Sequence, residues 1–235
     1  MRYPLVFDDG HTRQQGIATI SVTVRLPADR RGTHMSRMVA LVHGEVATLT
    51  PQELPLVLKR GLALLDTPAL TLGLTLPLAT TVTAPASEQT SWQTHDLTVT
   101  GRIDATGCTV TTSVTTQVTS LCPCSKAISD YGAHNQRSEV TLQITGSADT
   151  PYPLPFQEIV DLLRSTGSAP VLPLVKRPDE RVLTMQAYDH PVFVEDIIRD
   201  TSLACREKGL NHAVHVRNLE SIHSHDAIAT LHHAC

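Results

Sequence analysis

The chain has 235 residues, with 19 lysines and arginines against 23 aspartates and glutamates, and a formal net charge of −4. This length accommodates either one domain or two fused half-size repeats. The negative net charge excludes a general attraction to nucleic acid, so a polyanionic ligand must be bound by a local basic cluster.

Cysteine usage and hydropathy point to the compartment. The five cysteines are an odd number, and two of them are nearly adjacent. No charged and then apolar leader opens the chain, and no apolar run approaches the roughly 18 residues that a membrane helix needs. These features predict a protein of the reducing cytoplasm that has no membrane partner.

The first third of the chain predicts a strand, a polar segment and a helix. Residues 17–26 (IATISVTVRL) alternate between apolar and polar side chains, as in a half-buried antiparallel strand. After Arg30, the RGTHMSR segment (31–37) carries the charges and hydroxyls that bind phosphate oxygens, although a solvated loop leading to the next strand is the alternative. TPQE (50–53) then predicts a helix start with a capping box, and the helix continues to about residue 65.

The remaining segments complete an α+β pattern. Threonine- and valine-rich stretches between residues 70 and 118 predict successive strands, and residues 139–144 predict another. Helices are predicted over 155–163 and 191–208, followed by a strand over 213–219 and a short helix over 226–233. We therefore expect an α+β fold with mostly antiparallel sheet.

The central segment SLCPCSKAISDYGAHNQRS (120–138) concentrates reactive side chains. Pro123 favours extended backbone before it, which predicts that Cys122 and Cys124 point to the same face. Such thiols could be metal ligands, a nucleophile with a ligand, or a redox pair, while a disulfide between them is disfavoured by the usual Cα separation. The plain alternative is that the cysteines pack a loop.

Histidines cluster near the C-terminus. Glu220, His223 and His225 lie within ESIHSHDA (220–227), a spacing that permits metal binding. Four other histidines nearby are expected to be ordinary polar residues: His212, His215, His232 and His233.

The central segment resembles the signature of the type IB GTP cyclohydrolases, the prokaryotic enzymes that make dihydroneopterin triphosphate. Three further segments match that family in the same order: RGTHMSR, KRPDERV (176–182) with VFVED (192–196) behind it, and ESIHSHDA. Together these segments span nearly the whole chain. Family members commonly carry a longer segment before the RYPL that here follows Met1.

The resemblance implies an architecture. The family has the tunnelling fold, in which antiparallel sheets backed by helices from several subunits close into an oligomeric β-barrel. Type IB members are similar to two fused half-units, here approximately residues 1–118 and 119–235, and they form homotetramers with sites at subunit interfaces. The whole chain is therefore expected to be a single bimodular domain.

The resemblance also implies roles for individual residues. Cys122, Glu180, His134 and His223 match metal ligands or active-site residues, and Cys124 matches an acid-base or supporting thiol. Glu195 or Glu220 would bind the guanine, with Glu195 preferred. Candidates for the triphosphate of GTP are Lys126, Arg137, Lys176, Arg177 and Arg37. A donor set of thiolate, carboxylate and imidazole does not select zinc alone, so Mn²⁺, Fe²⁺ and Zn²⁺ are all expected.

The implied reaction is hydrolysis at C8 of GTP, with formate release and rearrangement to 7,8-dihydroneopterin triphosphate, in folate biosynthesis. Metal-activated water would add at C8 while His134 or Cys124 protonates N7 and relays later protons. The alternatives are an archaeal-type variant that gives a cyclic phosphate product, a nitrile reductase of the same fold, and a non-catalytic metal-binding scaffold.

Overall fold

We describe a computed structural model of the chain over residues 1–29 and 31–234; Arg30 and Cys235 lie outside the described residues. Within this range there are ten strands, six α-helices and one 3-10 helix. The strands are β1 Arg2–Asp8, β2 Arg13–Val24, β3 Thr48–Leu49, β4 Leu70–Thr83, β5 Thr90–Asp104, β6 Gly107–Leu121, β7 Asn135–Gly146, β8 Ala169–Pro170, β9 Asn211–Asn218 and β10 Ala227–His233. The helices are α1 Met35–Glu45, the 3-10 helix Pro51–Glu53, α2 Leu54–Leu65, α3 Pro123–Ile128, α4 Phe156–Ser165, α5 Arg177–Asp189 and α6 Val194–Glu207.

The residues form two compact units, each assembled from three stretches of chain. The first unit comprises Met1–Leu78, Asp96–Ser113 and Ile144–Phe156. The second comprises Ala79–His95, Val114–Gln143 and Gln157–Cys235. The four long strands β4 to β7 contribute residues to both units.

In the first unit the strands follow the order β3, β1, β2, β4, β5, β6 and β7. Strand β1 pairs antiparallel with β2, with Leu5 opposite Gly16, and parallel with the short β3. Helix α2 buries Leu54 and Leu58 against β5. A Cβ atom at Gly101 would lie 2.7 Å from Leu58 and 2.8 Å from Leu54, so this strand position needs glycine for the helix to pack closely.

In the second unit the order is β10, β9, β7, β6, β5 and β4, with β8 paired to the end of β6.

A chain of hydrogen bonds crosses three strands of the second unit, β4, β5 and β6, inside the core. His95 Nε2 lies 2.9 Å from the Thr80 hydroxyl, and His95 Nδ1 lies 2.8 Å from the Thr116 hydroxyl. Burial, together with the Arg164 guanidinium, lowers the pKa of His95 to about 4, so this histidine is neutral at physiological pH.

Most predicted elements are confirmed, with shifted ends. The strand expected at 17–26 is β2, the threonine-rich stretches form β4 to β6, and residues 139–144 lie within β7. The helix expected over 51–65 is the 3-10 turn followed by α2, and the helices expected over 155–163 and 191–208 are α4 and α6. Thr50 lies before a 3-10 turn and its side chain makes no capping hydrogen bond, so the predicted capping box is wrong.

Four local predictions are corrected. The short helix expected at 226–233 is strand β10, because these residues pair in register with β9, with Leu231 opposite Val214. Helix α1 begins within RGTHMSR, at Met35, and α5 begins within KRPDE, at Arg177, where no helix was predicted. Pro123 opens helix α3 instead of an extended run, because proline at the first helical position needs no N–H partner.

Within residues 1–29 and 31–234, no helix has the length and apolar character to span a membrane.

Candidate active site

A cavity of about 260 Å³ in the second unit is lined by five of the twelve site residues that the sequence predicted. We call it the site cavity. Five of its lining residues were predicted from motifs: Cys122, His134, Glu195, Glu220 and His223. The others are Ser120, Gln136, Phe193, Val194, Asn218, His225 and Ala227. Segments far apart in sequence therefore meet at one place in the fold.

Cys122 lies at the junction between β6 and α3. Its backbone is extended, with φ −68° and ψ 116°, and its sulfur accepts a hydrogen bond of 3.4 Å from the Ser125 N–H. The Cys122 N–H in turn donates to the His134 carbonyl at 3.0 Å. This bond closes the loop between the thiol and the histidine of the central motif.

Cys124 lies in the first turn of α3, where it is exposed and does not line the site cavity. The prediction that the two thiols share a face assumed extended backbone and is wrong, because the helix rotates Cys124 away from the face of Cys122. Any role of Cys124 beside the cavity stays a prediction.

The two cavity histidines have partners of the same kind. His134 Nδ1 lies 2.8 Å from the side-chain oxygen of Gln136, and His223 Nδ1 lies 3.4 Å from a carboxylate oxygen of Glu220. The two rings are 6.2 Å apart between centroids at an interplanar angle of 75°. In each ring Nδ1 is engaged by an oxygen, so Nε2 is the nitrogen left for chemistry.

Glu195 enters the cavity from the first turn of α6. The segment before it is fixed to β6, because the Val192 N–H donates to the Leu121 carbonyl at 3.1 Å and the Ser120 hydroxyl donates to the Val192 carbonyl at 2.8 Å. Glu195 is exposed, and among the described residues its carboxylate has no hydrogen-bond or ion-pair partner. Glu220, by contrast, is already paired with His223.

Several predicted residues do not line the site cavity. Glu180 is exposed in the first turn of α5, close to Lys176 and Arg177 at the start of the same helix. Arg137 is exposed on β7, and Arg37 belongs to α1 in the first unit, where it donates to the Leu64 carbonyl at 3.4 Å. The roles expected for these side chains stay predictions.

Lys126 is engaged locally. Its ammonium group donates to the Tyr188 carbonyl and lies 4.1 Å from the centroid of the Tyr188 ring. This contact joins α3, which carries the cysteine motif, to the C-terminal end of α5. The triphosphate role expected for Lys126 is untested.

Asp179, inside KRPDE, was missed as an organising residue. It is fully buried and accepts hydrogen bonds from the N–H groups of Ala86, Ser87 and Lys176 and from the Ser87 hydroxyl. Burial opposes ionisation of this carboxyl, but these hydrogen bonds outweigh it and hold its pKa well below the usual range. Asp179 thereby fixes the β4–β5 hairpin to the start of α5, next to Glu180.

Sequence reasoning also missed the buried polar side chains beneath the cavity: Ser120, Gln136, Ser138 and Asn218. All four are at least nine-tenths buried. The sequence did contain a signal for two of them. Gln136 and Ser138 follow His134 at alternate positions, and residues two apart in a strand lie on the same face.

The donors of the cavity fit a divalent cation in kind. A thiol, two imidazoles with engaged Nδ1 atoms and a neighbouring carboxylate are the groups that bind Zn²⁺, Fe²⁺ or Mn²⁺. Across residues 1–29 and 31–234, no three such side chains already lie together in a ligand arrangement. Cys122, His134 and His223 line one cavity and fit a metal in the chemistry of their donor atoms.

Solved structures with a similar fold define the architectural class. The uricase of Arthrobacter globiformis superimposes with a TM-score of 0.55 over 99% of this chain and 91% of that chain, at 11% sequence identity. A uricase from Bacillus fastidious gives a TM-score of 0.52 over 95% and 84%, also at 11% identity. This likeness, with the mixed sheet and helices, confirms the tunnelling fold.

Sequence comparison defines the family. Residues 1–229 match the family described as type I GTP cyclohydrolase FolE2. The GTP cyclohydrolase FolE2 of Neisseria gonorrhoeae is 38% identical over 231 residues, covering 97% of this chain and 88% of that protein. That of Ralstonia nicotianae is 36% identical over 233 residues, covering 98% and 85%. The chain belongs to the type I GTP cyclohydrolase FolE2 family.

Proposed function

We propose that this protein is a GTP cyclohydrolase of folate synthesis that hydrolyses the guanine ring of GTP at C8, releases formate and yields 7,8-dihydroneopterin triphosphate. Membership of the FolE2 family over nearly the whole chain supports the activity. The observation that carries the mechanism is the site cavity, which brings Cys122, His134, His223 and Glu195 together from three segments. We also propose that the enzyme is a GTP cyclohydrolase of type IB.

Cys122, His134 and His223 would hold a divalent metal ion, with Glu180 as the predicted carboxylate donor. Such an ion supplies Lewis acidity toward the water that adds at C8. The mixed donor set leaves Mn²⁺, Fe²⁺ and Zn²⁺ as candidates. The choice of these residues is supported by their shared cavity and by the oxygen partner of each imidazole Nδ1.

Glu195 would orient the guanine. Guanine offers adjacent N1–H and N2–H donors, which a carboxylate accepts bidentately. Glu195 is exposed in the cavity, whereas a Glu220 oxygen is within 3.4 Å of His223 Nδ1. This difference favours Glu195 for the base and gives Glu220 the task of orienting His223.

Proton transfers would fall to Cys124, or to His134 if Cys122 and His223 hold the metal without it. Opening the imidazole portion of guanine requires a proton at N7 and further transfers as formate leaves and the sugar rearranges. His134 lines the cavity, while Cys124 is exposed on α3, so His134 has the better supported position. The triphosphate would be bound by cations drawn from Lys126, Arg137, Lys176, Arg177 and Arg37.

We also propose a homotetramer with sites at subunit boundaries, built from half-units of about residues 1–118 and 119–235 and located in the cytoplasm. Large apolar side chains are exposed on strands: Ile17 is 56% exposed, Trp92 67% and Ile228 60%. Among the described residues, strand β10 ends the sheet order with one edge unpaired. A neighbouring subunit would cover these groups and complete the set of basic side chains.

The direct test is product identification by mass spectrometry after incubation with GTP and Mn²⁺. We expect the mass of dihydroneopterin triphosphate together with formate. A cyclic phosphate product would replace the proposed product with that of the archaeal-type variant. Unchanged GTP with all three metals supplied in turn would contradict catalysis and favour a metal-binding scaffold.

A further inference from the structure

We infer that Gln136 is a positioning residue that fixes His134 in the tautomer with hydrogen on Nδ1, so that Nε2 presents its lone pair to the site cavity. The inference rests on the proposed function for its chemical meaning. Its structural basis is a chain of hydrogen bonds running from the Val192 carbonyl through Ser120 and Gln136 to His134.

The chain begins at a group that can only accept. The Val192 carbonyl accepts a hydrogen bond of 2.8 Å from the Ser120 hydroxyl. Ser120 is 1% exposed, and a hydroxyl has a single hydrogen, so this proton is committed to Val192. Toward its other neighbours Ser120 Oγ can therefore act only as an acceptor.

This constraint orients the Gln136 amide. The side-chain nitrogen of Gln136 lies 3.5 Å from Ser120 Oγ, and its oxygen faces His134. The reversed amide would place the oxygen of Gln136 against Ser120 Oγ, whose proton is elsewhere, and the two acceptors would have no hydrogen between them. Gln136 is 7% exposed, so water does not readily replace the lost bond.

A second branch of the network supports the same assignment. The Ser138 hydroxyl donates to the side-chain oxygen of Asn218 at 2.6 Å, which turns the Asn218 nitrogen toward Ser120. That nitrogen donates to Ser120 Oγ at 3.1 Å. Two buried amides thus both treat Ser120 Oγ as an acceptor.

The last bond of the chain sets the histidine. Because the Gln136 oxygen is an acceptor, the 2.8 Å contact with His134 requires hydrogen on Nδ1. Neutral His134 then has an unprotonated Nε2, which can bind a metal ion or accept a proton. It cannot donate a proton from Nε2 until the ring has become imidazolium, so a neutral His134 is excluded as the acid for guanine N7.

Neutron diffraction on crystals of the zinc-loaded, full-length protein, grown at about pH 8 in deuterated buffer, tests the tautomer without GTP. We expect deuterium on Nδ1 of His134 and none on Nε2. Deuterium on Nε2, with or without deuterium on Nδ1, would overturn the inference. Because turnover is not measured, the result is independent of whether the proposed reaction is correct.

A matched set of variants tests the positioning role through zinc affinity, measured by competition with a chelating dye. Gln136→Leu should raise the zinc dissociation constant about 10- to 100-fold, as loss of an orienting partner typically does. Gln136→Glu keeps an acceptor for Nδ1–H and should bind zinc more tightly than Gln136→Leu. Gln157→Leu, on helix α4, should match the unaltered protein.

The glutamate variant separates positioning from simple structural support. If Gln136 served only to fill the core, a buried carboxylate that loses its bond to Ser120 would be more damaging than the similarly sized leucine. Zinc binding that is weaker in Gln136→Glu than in Gln136→Leu would therefore overturn the inference, as would unchanged zinc affinity in Gln136→Leu.

Discussion

The ammonium group of Lys126 lies 4.1 Å from the centroid of the Tyr188 ring and also donates to the Tyr188 carbonyl oxygen. The contact ties the short helix α3 to the end of α5. Helix α3 has only six residues and no buried side chain of its own, so its position depends on such external contacts. The Cys122 thiol at its start is thereby held in place.

We expect Lys126→Met and Tyr188→Leu each to destabilise the protein, because both remove the contact between the ammonium group and the ring, and Lys126→Met also removes the hydrogen bond to the Tyr188 carbonyl. Tyr188 is 38% exposed, so the coupling energy should be about 0.5 to 1 kcal/mol. A double-mutant cycle of urea unfolding measures it. Additive effects would show that the contact is not energetically coupled, and a large rise in KM for GTP in Lys126→Met alone would support the triphosphate role.

Asp179→Asn should loosen the β4–β5 hairpin at its attachment to α5. An amide oxygen cannot accept the four hydrogen bonds that the carboxylate receives, and hydrogen bonds to charged groups are the stronger ones. Hydrogen exchange at the Ala86 and Ser87 amides should accelerate about tenfold or more. Glu158→Gln, at an exposed position of α4, is the control, and unchanged exchange in Asp179→Asn would contradict the assignment.

His95 makes stability depend on pH. Its pKa is about 4 when folded, against an ordinary value of 6.5, because burial and Arg164 disfavour the charged ring. Between these values the unfolded chain binds more protons than the folded one, so stability falls as pH decreases. From pH 7.5 to pH 5.0 this histidine should remove about 2 kcal/mol of unfolding free energy.

His95→Gln should flatten that dependence, because glutamine does not titrate in this range. The measurement is urea unfolding at both pH values and one protein concentration, compared as a difference between variants. His190→Gln, at an exposed position after α5, should keep the full dependence. Equal pH dependence in His95→Gln and the unaltered protein would show that His95 is not buried as a neutral ring.

The sequence predicted the long strands well because their information is local. In β2 the alternation of Ala18 and Ile20 with polar neighbours directly encodes a half-buried strand. The prediction for β10 was wrong, because Leu231 and Ile228 fit a helical and an extended pattern equally well. Pairing with β9, which is distant from the local pattern, makes this segment a strand. The start of α1 was also hidden, since His34 precedes it with a positive φ of 48° that is not typical of histidine.

For the candidate site, the sequence identified the motif residues but not the residues that hold them in position. Cys122, His134, Glu195 and His223 were identified from matching segments, and all four line one cavity. Gln136 and Asp179 act through contacts with residues that are distant in sequence, so no local pattern separates them from ordinary polar residues. The different surroundings of the two thiols depend on helix α3, which begins where extended backbone was expected.

Substitution of each thiol should separate metal binding from chemistry. Cys122 lines the cavity, so Cys122→Ser should sharply weaken metal binding, because an alcohol is a poorer ligand than a thiolate. Cys124→Ser should retain the metal and lose about 10²- to 10⁴-fold in rate if this thiol serves as an acid or base. Metal content by mass spectrometry and turnover of GTP measure both. An empty site in Cys124→Ser with a full one in Cys122→Ser would exchange the two roles.

The most direct test of the central claim is formate released from GTP that carries ¹⁴C at C8, measured with the purified protein and Mn²⁺. We predict one labelled formate for each GTP consumed, nearly complete loss of release in Glu195→Gln and His223→Ala, and unchanged release in His233→Ala, whose ring lies on β10 outside the cavity. Absence of labelled formate, or full release from both cavity variants, would contradict the account.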